Sequence, residues 1–134
     1  MKKLFTIVLL GNLLCSCNTK QQEKELYRDV IALHDSVMAD NGLLMRNKMQ
    51  LDTLLTKALP AEIKDSAIFV KSNLTTADDA MNDWMHQFEP DYSGKPHDEA
   101  MKYLNDQKTQ IKKVDSLTKA AISVSGAFLS KYKK

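Results

Sequence analysis

Between Pro60 and Pro90 the residues Ala67, Val70, Leu74, Ala77, Met81, Trp84 and Phe88 recur at alternating spacings of three and four. A half-buried strand needs strict alternation, so this spacing commits the segment to an amphipathic helix with one apolar seam. Lys64, Asp65, Ser72, Asn73, Asp79 and Asn82 fall mostly on the other side. The helix has to stop before Pro90, because the residue preceding a proline disfavours the α region. One amphipathic helix cannot bury its own seam, so the remaining chain must supply partners.

The prolines Pro60, Pro90 and Pro96 divide the chain into segments 22–59, 61–88 and 97–134. The third opens with Pro96-His97-Asp98-Glu99, a proline at a helix start followed by acids that suit the positive end of the helix dipole. Ala100, Leu104, Gln107, Ile111, Val114, Leu117, Ala121, Val124 and Phe128 trace one face of it, and Gly126 is a candidate point for the helix to end or loosen. In the first segment the stripe is Leu26, Val30, Leu33, Val37, Leu44, Leu51, Leu54 and Ala58, interrupted by Asp40 and Asn47. Asn41-Gly42 lies in its middle. The favoured reading is one long helix with a local irregularity; a split there would make four helices out of three. The expected fold is all-α, an antiparallel bundle of three long helices over residues 23–134. Four Gly and three Pro are too few for a turn-rich all-β chain.

The first 16 residues stand apart from this body. Lys2 and Lys3 form a charged start, and Leu4 to Leu14 form an apolar run too short to cross a bilayer core of about 30 Å as a helix. Leu14-Cys15-Ser16-Cys17 fits a bacterial lipobox, with the small Ser16 before the cut and Cys17 as the lipidated residue. Residues 1–16 are thus expected to be a lipoprotein signal peptide, and 17–22 the lipidated Cys and a short linker. Fully extended, Asn18 to Gln22 would reach about 17 Å, keeping the body near the bilayer. Such a lipid anchor makes the membrane a partner without a spanning helix. The outer membrane facing the periplasm is the expected location, with cell-surface display the alternative; Asn18-Thr19-Lys20-Gln21-Gln22 carries no acid. Both cysteines lie in this segment, so the body has no disulfide, thiolate metal site or cysteine nucleophile.

Removing Lys2 and Lys3 with the leader leaves 17 basic and 17 acidic side chains. A formally neutral body is not the clustered basic surface that nucleic acid requires. No G-x-S-x-G, glycine-rich phosphate loop, H-E-x-x-H or C-x-x-C occurs, and the acidic pairs Asp78-Asp79 and Asp98-Glu99 point about 100° apart on a helix. The expectation is therefore no enzymatic activity and no cofactor, with a binding or structural role in the envelope through an unidentified envelope protein.

Two clusters qualify that reading. On a helical wheel His34, Met38, Met45 and Met49 fall within about 60°. His34 and His86 lie equally far from Pro60, so an antiparallel hairpin sets them level, and the next turn is expected to return Met101 and His97 towards them. His34, Met38, Met85, His86 and Met101 would then offer the imidazole and thioether donors that copper as Cu(I) prefers. The alternative is that methionine simply fills the core, and no metal site is then present. The stretch from Trp84 to Pro96 contains Trp84, Phe88 and Tyr92, either a finished core or an aromatic patch for a partner.

Ser16-Cys17, the stretch from Ile31 to Met38 (IALHDSVM), the stretch from Asp78 to Met85 (DDAMNDWM) and the stretch from Tyr103 to Gln107 (YLNDQ) are similar to small helical lipoproteins of Bacteroidota-type bacteria. Some of these carry the label "viral A-type inclusion protein". The resemblance spans most of the mature chain. It implies a helical, exported, anchored protein, and it brings no activity or site residues with it.

Overall fold

The computed structural model describes residues 13–132, with side chains from Thr19 onward. Residues 1–12, which hold most of the expected signal peptide, the side chains of Cys15 and Cys17, and Lys133 and Lys134 lie outside the described residues. The chain forms three helices, α1 (Leu13–Leu55), α2 (Ala61–Gln87) and α3 (His97–Tyr132), packed against one another with no strand among the described residues. This is the expected all-α bundle of three long helices. Consecutive helices run antiparallel, so α1 and α3 run parallel. Lys48 with Asp78 and Lys71 with Asp52 mark the antiparallel α1–α2 register, while Asp29 with Lys108 and Glu23 with His97 mark the parallel α1–α3 register.

Helix ends follow local chemistry. Pro60 has φ −54° and ψ 143° and offers its carbonyl to the Ile63 and Lys64 amides at 3.1 and 3.0 Å, starting α2 without a side-chain cap. Phe88 leaves α2 in an extended conformation, so the helix has ended before Glu89, the residue whose α region Pro90 disfavours. Pro96 accepts the Ala100 amide at 2.9 Å and opens α3, with Asp98 and Glu99 in the first turn.

α1 passes unbroken through Asn41-Gly42, so there is no split, and residues 17–22 are helical as part of it. Likewise α3 continues past Gly126 to Tyr132. α2 buries the whole expected seam from Ala67 to Trp84, with Phe88 half-buried at its end.

The stripes on the longer helices need two corrections. Ala58 is exposed in the turn, because α1 ends at Leu55. On α3 the buried face runs Ile111, Val114, Thr118, Ala121, Ser125, Leu129; Leu117 and Val124 lie outside it, 38% and 48% exposed. The buried face keeps a four-three alternation from Ala100 through Leu104, Gln107, Ile111, Val114, Thr118 and Ala121 to Ser125, so the expected stripe left it at Leu117, where apolar character and not spacing selects the residue.

The core divides into two layers. Leu44, Leu51, Leu74 and Leu129 anchor one, at the α1–α2 turn end. Val30, Val37, Trp84 and Ile111 anchor the other, towards the start of α1.

Candidate functional site

Two arrangements gather the residues singled out above. The first closes the bundle at the α2–α3 turn. The indole of Trp84 stacks on Phe88 at 4.7 Å between ring centroids, and His34 from α1 lies 5.8 Å from it. Tyr27 of α1 reaches over to Phe88 at 6.2 Å and Tyr92 at 5.5 Å. Tyr103 of α3 flanks Phe88 at 6.4 Å, donates its hydroxyl proton to the Glu89 carbonyl and accepts the Glu89 amide at 2.7 Å. Trp84 is only 4% exposed. Trp84, Phe88 and Tyr92 therefore form part of a packed aromatic end shared by all three helices, and the indole offers no face to an outside partner.

Burial in this cluster pushes the phenols of Tyr92 and Tyr103 above their ordinary value, with the carboxylates of Glu23 and Glu89 adding to the same effect. In the turn itself, Asp91 accepts the Ser93 hydroxyl at 2.6 Å and the Ser93 amide at 3.0 Å, and these bonds hold its carboxyl below the usual range. His97 Nδ1 lies 2.7 Å from Glu23 Oε1, tying the start of α3 to the start of the bundle. Tyr27 and Tyr103 are the members that sequence reasoning missed, and Tyr27 was the one with a signal. It precedes His34 by seven residues and so shares its face, which was signal enough to find it.

The second arrangement lies between α1 and α2. Met38, Met81 and Met85 line a cavity of about 20 Å³ together with Asn41, Asn82 and Thr118. It has room for about one water-sized guest. Asn41 Oδ1 and Thr118 Oγ1 are buried there without a hydrogen-bond partner. Of the five His/Met residues proposed from sequence, this brings Met38 and Met85 together. His34 and His86 share a level, as their symmetry about Pro60 requires. His34 Nδ1 is 3.0 Å from Asp35, and His86 Nδ1 is 2.7 Å from the Asn82 carbonyl. Met101 is not part of the group. The pairing of Glu23 with His97 places the start of α3 level with residues 22–26, roughly 12 Å or more along the axis from His34. Met45 and Met49 are exposed on the outer side of α1. No group of three or more His, Cys, Asp or Glu is placed to hold a metal ion among the described residues.

Among the described residues no helix is long and apolar enough to cross a membrane. Comparison with protein-family models, curated proteins and solved structures gives no match.

Proposed function

We propose that this is an exported, lipid-anchored protein of the bacterial cell envelope whose helical body acts without catalysis, by binding or as a structural element. The observation that carries the reading is the N-terminal sequence: Lys2-Lys3, the apolar run Leu4 to Leu14, and Leu14-Cys15-Ser16-Cys17. Cys17 is the acylated residue, and the outer membrane facing the periplasm is the location.

The fold supports this reading by fixing how such an anchor would present the body. Cys17 lies in the same helix as the core residues Leu26 and Val30. Glu23, six residues on, is paired with His97, so the α2–α3 turn sits about 9 Å beyond the anchor along the axis. The far end of α1 at Leu55 is about 57 Å from Cys17. An anchored bundle of this form stands off the bilayer as a rod.

Metabolic labelling with a clickable fatty acid tests the anchor. Cys17→Ala should lose the label and leave the membrane fraction, and Cys15→Ala should keep both. Label retained in Cys17→Ala overturns the assignment.

A further inference from the structure

The exposed residues of α3 are not scattered. Leu117 and Val124, with Ala120 and Ala121, form the floor of a groove of about 260 Å³ whose other wall is Asn73 and Thr76 of α2. Phe69, 65% exposed and seven residues before Thr76, continues that wall. None of the residues lining the groove is charged. A contiguous uncharged apolar strip rimmed by polar residues is a surface on which a partner can dock.

Its spacing says what kind of surface fits. Leu117 and Val124 are seven residues apart, and Ala120 and Ala127 repeat that interval beside them. These positions lie beside the buried heptad face, one residue before Thr118 and Ser125, and a helix lying alongside at a shallow angle reads their repeat. The short side chains of Ala120 and Ala121 let another backbone come close at the centre.

Charge says which helix it is. Over the length of the groove the α2 edge carries Glu62, Asp65, Asp79 and Asp83 and the α3 edge carries Lys113 and Lys131, and none of these six enters an ion pair among the described residues. Beyond the groove, towards the start of α3, the same edge turns acidic at Asp106 and Glu99. Tyr103 bonds to Glu89, and Leu117 shares the groove with Thr76. That antiparallel register puts Asp79 and Asp83 level with Lys113, and Glu62 and Asp65 level with Lys131. A second copy related by a two-fold axis parallel to the helices would set α3 against α3. Leu117 and Val124 would meet their own counterparts, and each acidic α2 edge would meet the other copy's basic α3 edge at the same height.

We infer that the α2–α3 face is the interface of a parallel homodimer. The parallel sense rests on the anchored reading, since it places both Cys17 residues at one end; the pairing itself does not.

The test uses the full chain expressed in cells with Cys15→Ser. Leu117→Cys and Val124→Cys are introduced one at a time, and intact envelopes are treated with a short homobifunctional maleimide. Each variant alone should give a crosslinked dimer, and Ala39→Cys, on an exposed position of α1, should give none. Adding Val124→Glu to Leu117→Cys should abolish the band while the circular dichroism of the purified protein stays helical. A dimer formed only when the Leu117→Cys and Val124→Cys chains are expressed together overturns the parallel arrangement. No dimer from any pair, or a crosslink to a different protein, overturns the second copy as the occupant. Crosslinking in the parent chain, which keeps only Cys17, would report a free thiol there; that result counts against the anchor and not against the dimer.

Discussion

Asn47 of α1 donates its side-chain amide to Ser125 Oγ of α3 at 2.9 Å, inside the core, where the two residues are 6% and 0% exposed. Ser125 in turn donates to the Ile122 carbonyl of its own helix at 3.0 Å. α1 and α3 are parallel neighbours with no connection between them shorter than α2, so nothing in the chain fixes their register. An apolar stripe tolerates sliding by a turn; a buried donor with one matching acceptor does not.

The clasp is asymmetric. In Asn47→Leu, Ser125 keeps its bond to Ile122. In Ser125→Ala, Asn47 retains only the Ile122 carbonyl at 3.5 Å. Ser125→Ala should therefore destabilise by about 1–3 kcal/mol, the cost of an unsatisfied buried amide. The double variant Asn47→Leu, Ser125→Ala should recover much of that loss. Chemical denaturation of the four proteins checks this; strictly additive effects would mean the bond does not couple the helices.

The same residue shows what could be read from the sequence and what could not. Asn47 breaks the leucine stripe of the first segment, and the break is visible; its meaning is not, because the partner is a serine 78 residues away on another helix. The α2 seam was legible throughout because every buried position from Ala67 to Trp84 is apolar. The buried face of α3 keeps the same spacing, but it includes Thr118 and Ser125, and a search for apolar residues picks their neighbours Leu117 and Val124 instead. Hydrophobicity favours the wrong residue at both positions, and only packing against α1 decides. At the candidate site, the level shared by His34 and His86 follows from Pro60 alone. Where Met101 sits depends on the parallel α1–α3 register, which no local signal encodes.

Trp84 is the largest side chain in the core layer near the α2–α3 turn, packed with Val30, Val37 and Ile111 and stacked on Phe88. Trp84→Ala should cost about 3–5 kcal/mol, the range for removing a large buried aromatic. A shift in denaturation free energy below about 1 kcal/mol would show that the aromatic end is not closed.

Gly42 lies within α1, is exposed, and has open space where a Cβ would stand. It gains nothing from lacking a side chain and carries the entropic penalty of glycine in a helix. Gly42→Ala should stabilise by about 0.5–1 kcal/mol. Thermal melting measures the gain, and a loss of stability would mean that α1 bends at this point.

The aromatic end also gives a pH dependence. Tyr92 and Tyr103 are held above the ordinary phenol value of 10.0. A raised folded value means that the unfolded chain ionises first. The stability these phenols contribute is present in full below about pH 10 and is lost as pH climbs through the phenol range. Lys119, raised mainly by its hydrogen bond to Asp115, acts in the same direction. The double variant Tyr92→Phe, Tyr103→Phe should lose stability less steeply than the parent above pH 10. Denaturant midpoints across that range test it, and parallel curves would rule the phenols out.

Soft-metal binding is decided at the cavity between α1 and α2. Met38, Met81 and Met85 line it, but the contribution of α3 at that level is Thr118, and the unpartnered atoms there are the oxygens of Thr118 and Asn41. Hydroxyl and amide oxygens suit a hydrogen-bonding guest and are poor ligands for Cu(I). A ligand bound only to the folded state at a thousandfold excess over Kd would raise stability by about 4 kcal/mol, so melting is a sensitive detector. The expected result is no saturable shift with Ag(I), or with Cu(I) under anaerobic conditions. A saturable shift that survives His34→Ala and disappears in Met38→Leu, Met85→Leu would establish a thioether site that uses Met38 or Met85. One that disappears in His34→Ala would instead restore the mixed imidazole and thioether set.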